Sequence, residues 1–417
     1  MQQKYKFPKS FLWGASTSAH QVEGGNYNQW SVWELENARS LAKQAEYQLR
    51  ELPVWQEIKA EAIRPSNYVS GKASDHYRRY EEDFAILSQL HMNAYRFSIE
   101  WSRIEPEEGK WDMGEIEHYR QYLLSLKKRN IEPMMTLFHW TTPVWFDKMG
   151  GFTKRKNIDY FVRFAEKVID ELGEHIRLVC TLNEPENYAY IGWITGKWPP
   201  GRQNDFRTGL WVYYNLAVSH NRIAKILKQK KPRLLVGLSK SFSKFYAADE
   251  DIRSRIMVHV SYLVADELFI GLTKRRMDWL GVQYYISQGY VKGRLASPQM
   301  PMNDLGWQMT PDDLETVLVR NYRRYKKPMI VTETGVADRN DRYRRWWIAH
   351  NIDAIHKAMQ RGAKVMGYMH WSLLDNFEWA YGKWPRFGLV EVDYTTFART
   401  LRPSGAWLGR VIKSMRQ

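Results

Sequence analysis

The chain has 417 residues, 44% of them hydrophobic, and a formal net charge of +16. This length and apolar content are sufficient for a large core and do not fit a small disulfide-stabilised scaffold. The single cysteine, Cys180, cannot form an intrachain disulfide, and we expect it to be a buried core residue of a protein in a reducing compartment. The first residues lack a signal-peptide apolar core, and no uncharged apolar run of about 18 residues follows. We therefore expect a cytoplasmic protein with no membrane partner.

The positive charge raises the possibility of nucleic-acid binding. However, the basic clusters are scattered along the chain, on the predicted outer faces or ends of helices: 228–231, 274–276, 323–327 and 342–345. This distribution favours a solvated basic surface over a specific nucleic-acid groove. The 19 tryptophans are more informative, because sugar-binding clefts use flat aromatic faces against pyranose rings.

Apolar strands alternate with amphipathic helices along almost the whole chain. The predicted strands are 11–16, 94–101, 132–140, 178–182, 233–239, 277–285, 328–333 and 365–371, and the predicted helices are 75–91, 114–130, 158–172, 211–230, 256–268, 312–325, 344–361 and 403–415. Eight such units predict a single-domain (β/α)8 TIM barrel over residues 1–417 with elaborated βα loops. Residues 34–70 form a partly helical insertion, which we expect beside the cleft.

Polar and aromatic residues accumulate where the predicted strands end. They are Gln21 after the first strand, Arg96, His139, Trp140, Asn183, Glu184, Gln283, Tyr285, Glu333 and Trp371 on later strands, and Glu378 and Trp379 in the loop after the last. Any one of them could be a satisfied core polar group. Together, at the carboxyl face of a barrel where active sites lie, they predict a functional site.

Two carboxylates stand out at strand ends, Glu184 and Glu333. Glu184 alone could be an N-cap acid for a helix beginning at Pro185. Glycoside hydrolysis, however, needs two carboxyl groups, one that protonates the leaving oxygen and one on the other side of the anomeric carbon. Strands four and seven lie nearly opposite each other in a barrel, and a separation of about 5–5.5 Å would give retention of configuration.

Motifs in a fixed order along the chain resemble those of glycoside hydrolase family 1, the β-glucosidase-like retaining glycosidases. They are residues 11–24, 95–104, 136–140, 181–185 (Thr-Leu-Asn-Glu-Pro), 331–335 (Val-Thr-Glu-Thr-Gly), 371–379 and 386–389. The resemblance implies a retaining, exo-acting β-glycosidase of the glucosidase, galactosidase or fucosidase type. It also implies a small-molecule β-glycoside as substrate and no metal or organic cofactor.

The resemblance assigns roles residue by residue. Glu184 would be the acid/base and Glu333 the nucleophile, held ionised at a low pKa by Arg96 and Tyr285. The sugar hydroxyls would be bound by Asn183, Gln21, His139 and Glu378, the sugar ring would stack on Trp371, and Trp140 and Trp379 would donate hydrogen bonds. Phe387 lies in the motif of the sugar-binding end, and Thr141, Trp198, Trp307 and Trp384 are candidates for the aglycone side. Glu378 favours an unphosphorylated sugar, because a carboxylate repels phosphate.

Three features depart from the family pattern: Gln283 and Thr334 stand where asparagine is usual, and the segment between strands five and six is short. Two other hypotheses are kept. A transglycosylase would use the same covalent intermediate, and a noncatalytic glycan- or nucleic-acid-binding barrel would use the basic surface. The sequence does not distinguish a monomer from a homo-oligomer.

Overall fold

Eight parallel strands close into a barrel in the computed structural model, which describes residues 5–416. In chain order the strands are β1 (Leu12–Ser16), β2 (Ala94–Ser98), β3 (Glu132–Thr136), β4 (Leu178–Asn183), β5 (Leu235–Ser241), β6 (Trp279–Gln283), β7 (Met329–Thr334) and β8 (Val365–Trp371). Strands adjacent in this order are adjacent in the barrel, which closes where Leu12 of β1 pairs with Gly367 of β8. The predicted (β/α)8 fold is confirmed.

Eight main helices surround the barrel, one after each strand. They are α1 (His76–Gln89), α2 (Met113–Lys128), α3 (Ile158–Leu172), α4 (Phe206–Lys230), α5 (Ile252–Ser261, continued by a π-helical turn, Tyr262–Glu267, and by Leu268–Thr273), α6 (Asp313–Tyr325), α7 (Arg344–Gln360) and α8 (Pro403–Arg416). Local signals fix several of their starts. The Asp112 side chain, for example, accepts hydrogen bonds from the backbone N–H groups of Gly114 and Glu115 at 2.9 and 3.1 Å, which caps α2.

Further helices and strands lie in the loops. Helices outside the ring are Ala19–Val22, Gln29–Leu49, Trp55–Ala62, Trp101–Ile104, Val144–Lys148 and Pro185–Ala189, the last continued by a π-helical turn, Tyr190–Thr195. One small sheet consists of the strands Lys244–Ala247, Ser287–Val291 and Arg294–Leu295. A second small sheet pairs Val390–Val392 with Arg399–Leu401.

The barrel interior is filled with side chains and is not a pore. Met134, Cys180, Trp279 and Met369 form part of one buried cluster, which agrees with the expectation of Cys180 as a core residue. Trp279 requires glycine at position 237 on the neighbouring strand, because a Cβ there would lie 2.5 Å from the indole ring. A larger cluster between the strands and the helices forms the outer core. This packing fixes the strand ends from which the site projects.

Three strands end earlier than the sequence pattern predicts. β2, β3 and β6 end at Ser98, Thr136 and Gln283, whereas their apolar patterns continue to residues 101, 140 and 285. The residues beyond these ends are buried, apart from the half-buried Tyr285, so their apolar character reflects packing around the mouth and not continued strand pairing. Apolar periodicity cannot distinguish these two situations.

The insertion between β1 and α1 packs beside the mouth of the barrel. Its helices Gln29–Leu49 and Trp55–Ala62 contribute Leu49, Trp55 and Ile58 to a buried cluster that also contains Trp371 and Phe387. The insertion therefore supports one wall of the cleft from behind.

One helical run in residues 5–416, Ile252–Arg276, is long and apolar enough to cross a membrane by length and composition alone. It includes α5, and Asp266, Phe269 and Ile270 on this run are buried against the rest of the ring. The run is therefore an integral element of the barrel.

Candidate active site

The two strand-end carboxylates each follow a local irregularity of the barrel. On β4, Cys180 pairs with Gly237 but Asn183 pairs with Ser239, so β4 carries one extra residue just before Glu184. On β7, Val331 pairs with Val282 and Glu333 with Gln283, which is again one extra residue. Such bulges re-aim side chains next to active sites. Here they set the directions of both glutamates.

Glu184 occupies the N-cap position of the helix Pro185–Ala189, but its side chain does not cap that helix. Its backbone is left-handed, with φ of 38°, a conformation rare for a non-glycine residue and concentrated at functional sites. The carboxylate accepts a hydrogen bond from the Asn187 side-chain amide at 2.7 Å, and the residue is 4% exposed. The helix-cap alternative considered from sequence is therefore wrong for the side chain.

Glu333 is held at both carboxylate oxygens. Arg96 Nη1 donates to Oε1 at 2.5 Å, and the Tyr285 hydroxyl donates to Oε2 at 2.8 Å. The structure thus places Arg96 and Tyr285 against Glu333, as the sequence analysis expected. The following Gly335 must be glycine, because a Cβ there would lie 1.9 Å from the carbonyl oxygen of Trp371.

Asn183 joins three strand ends. Its side-chain oxygen accepts from Arg96 Nη2 at 2.6 Å and from Gln283 Nε2 at 2.8 Å, and its amide nitrogen lies 3.1 Å from His139 Nε2. The substitution at 283 is therefore accommodated, because the longer glutamine side chain reaches Asn183. The other substitution, Thr334, accepts a hydrogen bond from the Trp347 indole at 3.1 Å on the outer side of β7.

The two carboxyl groups differ in their electrostatic surroundings. Burial raises the pKa of Glu184 well above its ordinary value, and the nearby charge of Glu333 raises that pKa further. Burial also raises the pKa of Glu333, but the Arg96 guanidinium and the Tyr285 hydroxyl oppose the increase. The expected low pKa of Glu333 is thus wrong in direction, since burial outweighs its partners. The expected order of ionisation is retained, since Glu333 loses its proton at a lower pH than Glu184.

A cluster of aromatic side chains forms the floor and one side of the site. The His139 ring is stacked between Trp371 and Trp379, at centroid distances of 6.1 and 6.2 Å. Trp140 lies 5.0 Å from Trp379 and 4.5 Å from Trp198. Burial lowers the pKa of His139 well below its ordinary value, so the ring is neutral, and its Nδ1 has no hydrogen-bond partner among residues 5–416.

Trp140 differs from the expectation that its indole binds sugar. Its Nε1–H donates to the backbone carbonyl oxygens of Asn183 and Glu184, at 2.9 and 3.3 Å. In this arrangement Trp140 anchors the end of β4 and does not offer a free donor to the cleft.

Gln21 and Glu378 meet at the far end of the site. Gln21 Nε2 donates to Asn376 Oδ1 at 3.0 Å and to Glu378 Oε2 at 3.4 Å. Burial, with the charge of Glu333, raises the pKa of Glu378 to about 8. This carboxyl group is therefore largely protonated at neutral pH and is able to donate a hydrogen bond. The repulsion of phosphate that the sequence analysis expected from a carboxylate at this position is correspondingly weak at neutral pH.

The candidate aglycone residues fall into two groups. Trp307 is half-buried and lies beside Tyr285 and Phe387, at ring-centroid distances of 6.1 and 6.5 Å. Trp384 is 1% exposed and Thr141 donates to Glu100 at 3.0 Å, so both are engaged within the protein. Among these four candidates, Trp307 and Trp198 are the ones that keep partly exposed surface.

Sequence reasoning missed a buried ion pair beside Glu184. Lys240 Nζ lies 3.3 Å from Glu186 Oε1, and the same oxygen accepts a hydrogen bond from the Ser241 backbone N–H at 2.7 Å. Lys240 is fully buried although it lies on β5. Two sequence features could have revealed this ion pair: a lysine within the otherwise uncharged strand β5, and an acid two residues after Glu184.

The described side chains do not form a cluster suited to metal ligation. Residues 5–416 contain no group of three or more histidine, cysteine, aspartate or glutamate side chains placed to hold a metal ion. The site instead offers a protonated carboxyl, a carboxyl with a cationic partner, and a cleft rich in aromatic and hydrogen-bonding groups. These are the groups needed for glycosyl transfer through a carboxylate nucleophile.

Comparison with known proteins points to the same chemistry. The model of glycosyl hydrolase family 1 matches residues 3–261 and 265–417. Beta-glucosidase A from Acetivibrio thermocellus is 29% identical over 99% of both chains. A solved beta-glycosidase from Pyrococcus horikoshii is 31% identical, with a TM-score of 0.85, over 99% of this chain and 96% of its own. The beta-glucosidase from Thermotoga maritima in complex with glucoimidazole is 26% identical, with a TM-score of 0.86, over 98% and 99%.

These matches extend over nearly the whole chain and agree with the barrel, the paired carboxyls and the aromatic cleft. The chain therefore belongs to glycosyl hydrolase family 1 and is a retaining β-glycosidase.

Proposed function

We propose that the chain removes single unphosphorylated sugars from β-glycosides, with Glu333 as nucleophile and Glu184 as acid/base. The observation that carries these roles is the unequal environment of the two carboxyls. Glu333 is bound by a guanidinium and a phenol, whereas Glu184 has an amide and a nearby negative charge. The first environment favours an ionised group and the second a protonated one.

The reaction follows from this difference. In the first step a Glu333 oxygen attacks the anomeric carbon, and Glu184 donates its proton to the departing glycosidic oxygen. The ester that forms removes the negative charge of Glu333, and with it one cause of the raised pKa of Glu184. Glu184 can then take a proton from water, which attacks the anomeric carbon and releases the sugar. Two inversions give net retention.

Several groups around the carboxyls are suited to a sugar. His139 Nδ1 is buried without a partner, and a sugar hydroxyl would satisfy it. Gln21 and the largely protonated Glu378 offer hydrogen bonds at the end of the pocket, and Trp371 offers a flat face. No ion pair joins Glu378 to a lysine or arginine in residues 5–416. A phosphorylated sugar would therefore meet no countercharge at this group, which supports an unphosphorylated substrate.

The roles of the two glutamates can be tested separately with azide. We expect Glu184→Ala and Glu333→Ala each to lose activity on an aryl β-glucoside by about three orders of magnitude or more. Azide should restore Glu184→Ala and give a β-glucosyl azide, because it attacks the covalent intermediate. It should restore Glu333→Ala with an α-glucosyl azide, because it replaces the nucleophile on the opposite face.

The stereochemistry of the azide products decides the assignment. Exchanged products would mean exchanged roles, and near wild-type turnover by either variant without azide would refute its role altogether. Glu186→Gln is the matched control, since it removes a neighbouring carboxylate while leaving both proposed groups in place, and it should remain active without azide.

Transglycosylation would use the same intermediate, with a sugar or alcohol replacing water. Product analysis at high acceptor concentration measures the balance between the two outcomes. We keep the cytoplasm as the proposed location, on the ground that the one cysteine is buried and unpaired.

A further inference from the structure

An apolar stripe runs along the outer face of the run that contains α5. It consists of Ile252, Ile256, Val260, Val264, Leu268 and Leu272, which recur at every fourth position and are each 42–64% exposed, together with Leu263. The π-helical turn Tyr262–Glu267 has a wider period than an α-helix, which helps a four-residue repeat to stay on one side. We call these seven residues the α5 stripe.

The adjacent helix α4 extends this surface. Leu210, Trp211 and Tyr214 on α4 are 63%, 45% and 41% exposed. The two helices contact each other near the C-terminal end of α5: the rings of Tyr213 and Phe269 lie 4.8 Å apart, and a side-chain amide of α4 donates a hydrogen bond to a backbone carbonyl of α5 at 2.9 Å. We call the exposed apolar side chains of these two neighbouring helices the patch. Patches of this kind on soluble proteins mark partner or membrane surfaces.

Most of the exposed charges around the patch that lack an ion-pair partner are positive. The acids Asp249, Glu250 and Asp251 directly precede the stripe, but Asp251 pairs with Arg253 at 2.6 Å and, of the three, only Glu250 is exposed. Helix α4 carries five lysine and arginine residues and no acid. The run Ile252–Arg276 also carries five, and its two acids, Asp266 and Glu267, form ion pairs with Arg320 at 3.0 and 2.8 Å. Exposed cations with no ion-pair partner in the described part of the chain are Arg207, Lys225, Arg255, Lys274, Arg275 and Arg276. The patch therefore has a free cationic border.

We propose that this face of α4 and α5 docks on an anionic lipid surface. Anionic headgroups would neutralise the cationic border, while the boundary with the acyl chains would take up the α5 stripe. A second copy of the chain is disfavoured as the occupant, because a two-fold contact would bring two cationic borders together with few exposed acids, such as Glu250, to pair them.

Docking does not require α5 to leave the barrel. Asp266, Phe269 and Ile270 stay buried against the ring while the stripe faces outward. The sequence-based expectation of no membrane partner rested on the lack of an uncharged apolar run, which surface binding does not need. This proposal does not depend on the identity of the glycoside substrate.

The test is co-sedimentation of the full-length chain with vesicles. We expect binding to vesicles of equimolar phosphatidylglycerol and phosphatidylcholine, and little binding to pure phosphatidylcholine. Raising the salt should weaken binding about fivefold or more, because it screens the headgroup attraction.

Two variants separate the apolar and the charged contributions. Val264→Asp should weaken binding about tenfold or more, since it places a negative charge in the α5 stripe. Arg275→Gln with Arg276→Gln should reduce binding and its sensitivity to salt. Leu124→Asp on α2 is the matched control at an exposed leucine elsewhere and should bind as the wild type does. All variants should keep wild-type activity on a soluble aryl β-glucoside, which shows that they are folded.

Three results would overturn the proposal. The first is a wild type found only in the supernatant with anionic vesicles, and the second is an active Val264→Asp that sediments as well as the wild type. The third is a dimer in light scattering that Val264→Asp converts to a monomer, in which case a second copy of the chain covers this face.

Discussion

The buried pair of Lys240 and Glu186 should control the alkaline side of the pH profile through Glu184. Lys240 lowers the pKa of Glu184 and Glu186 raises it, in a site where burial is the largest cause of the shift. Replacing Lys240 by methionine should therefore move the alkaline limb of kcat/KM to higher pH. Glu186→Gln should move it to lower pH. Opposite shifts from the two halves of one ion pair are expected only if the pair acts on Glu184 electrostatically.

The same pair predicts a cost in stability. Lys240 is fully buried and the Glu186 side chain is 16% exposed, so Lys240→Met leaves a carboxylate without its cation. We expect this to lower the free energy of unfolding by about 3 kcal/mol. The double variant Lys240→Met/Glu186→Gln should recover most of that loss, because it removes both charges. Lys244→Met is a control at a more exposed pair, with Asp313, and should cost less than about 1 kcal/mol.

The measurements are urea denaturation and kcat/KM for an aryl β-glucoside across pH. Shifts of the alkaline limb in the same direction for Lys240→Met and Glu186→Gln would refute the electrostatic explanation. A double variant as unstable as Lys240→Met would show that lysine packing, and not the ion pair, matters.

Three further predictions concern the site and the insertion packed beside it. Tyr285→Phe removes the 2.8 Å hydrogen bond that lowers the pKa of Glu333. The acid limb of kcat/KM should therefore move to higher pH, and kcat should fall about tenfold or more. Stopped assays across pH measure both effects. Glu378→Gln mimics the protonated carboxyl, so KM should change little below pH 7, whereas the titration of wild-type KM near pH 8 should disappear. Ile58→Ala opens a cavity in the buried cluster that contains Trp371, and should lower stability by about 2–4 kcal/mol and raise KM. Leu35→Ala, at an exposed position of the same insertion, should be nearly neutral in calorimetry.

The alternation of apolar strands and amphipathic helices was sufficient to predict the barrel. Eight repeats of one pattern tolerate errors at individual boundaries, and the barrel then places strand-end residues at a common mouth. Glu333, Arg96 and Tyr285 could be grouped in this way before any distance was known.

Other features depend on three-dimensional contacts that no local pattern records. The extra residues before Glu184 and Glu333 appear only in the pairing with β5 and β6. The Trp140 indole hydrogen bonds depend on the turn after β3, and the raised pKa of Glu333 depends on burial by the whole mouth. The Lys240 ion pair joins the loop after β4 to a strand more than fifty residues later.

The proposed mechanism requires Glu333 to form a covalent bond with the sugar. The most direct measurement is mass spectrometry of the protein after incubation with a 2-deoxy-2-fluoro-β-glucoside carrying an activated leaving group, which slows the breakdown of the intermediate. We expect the mass increase of one fluorinated sugar, on the peptide that contains Glu333. A label on any other residue, in an enzyme that turns over aryl β-glucosides, would contradict it.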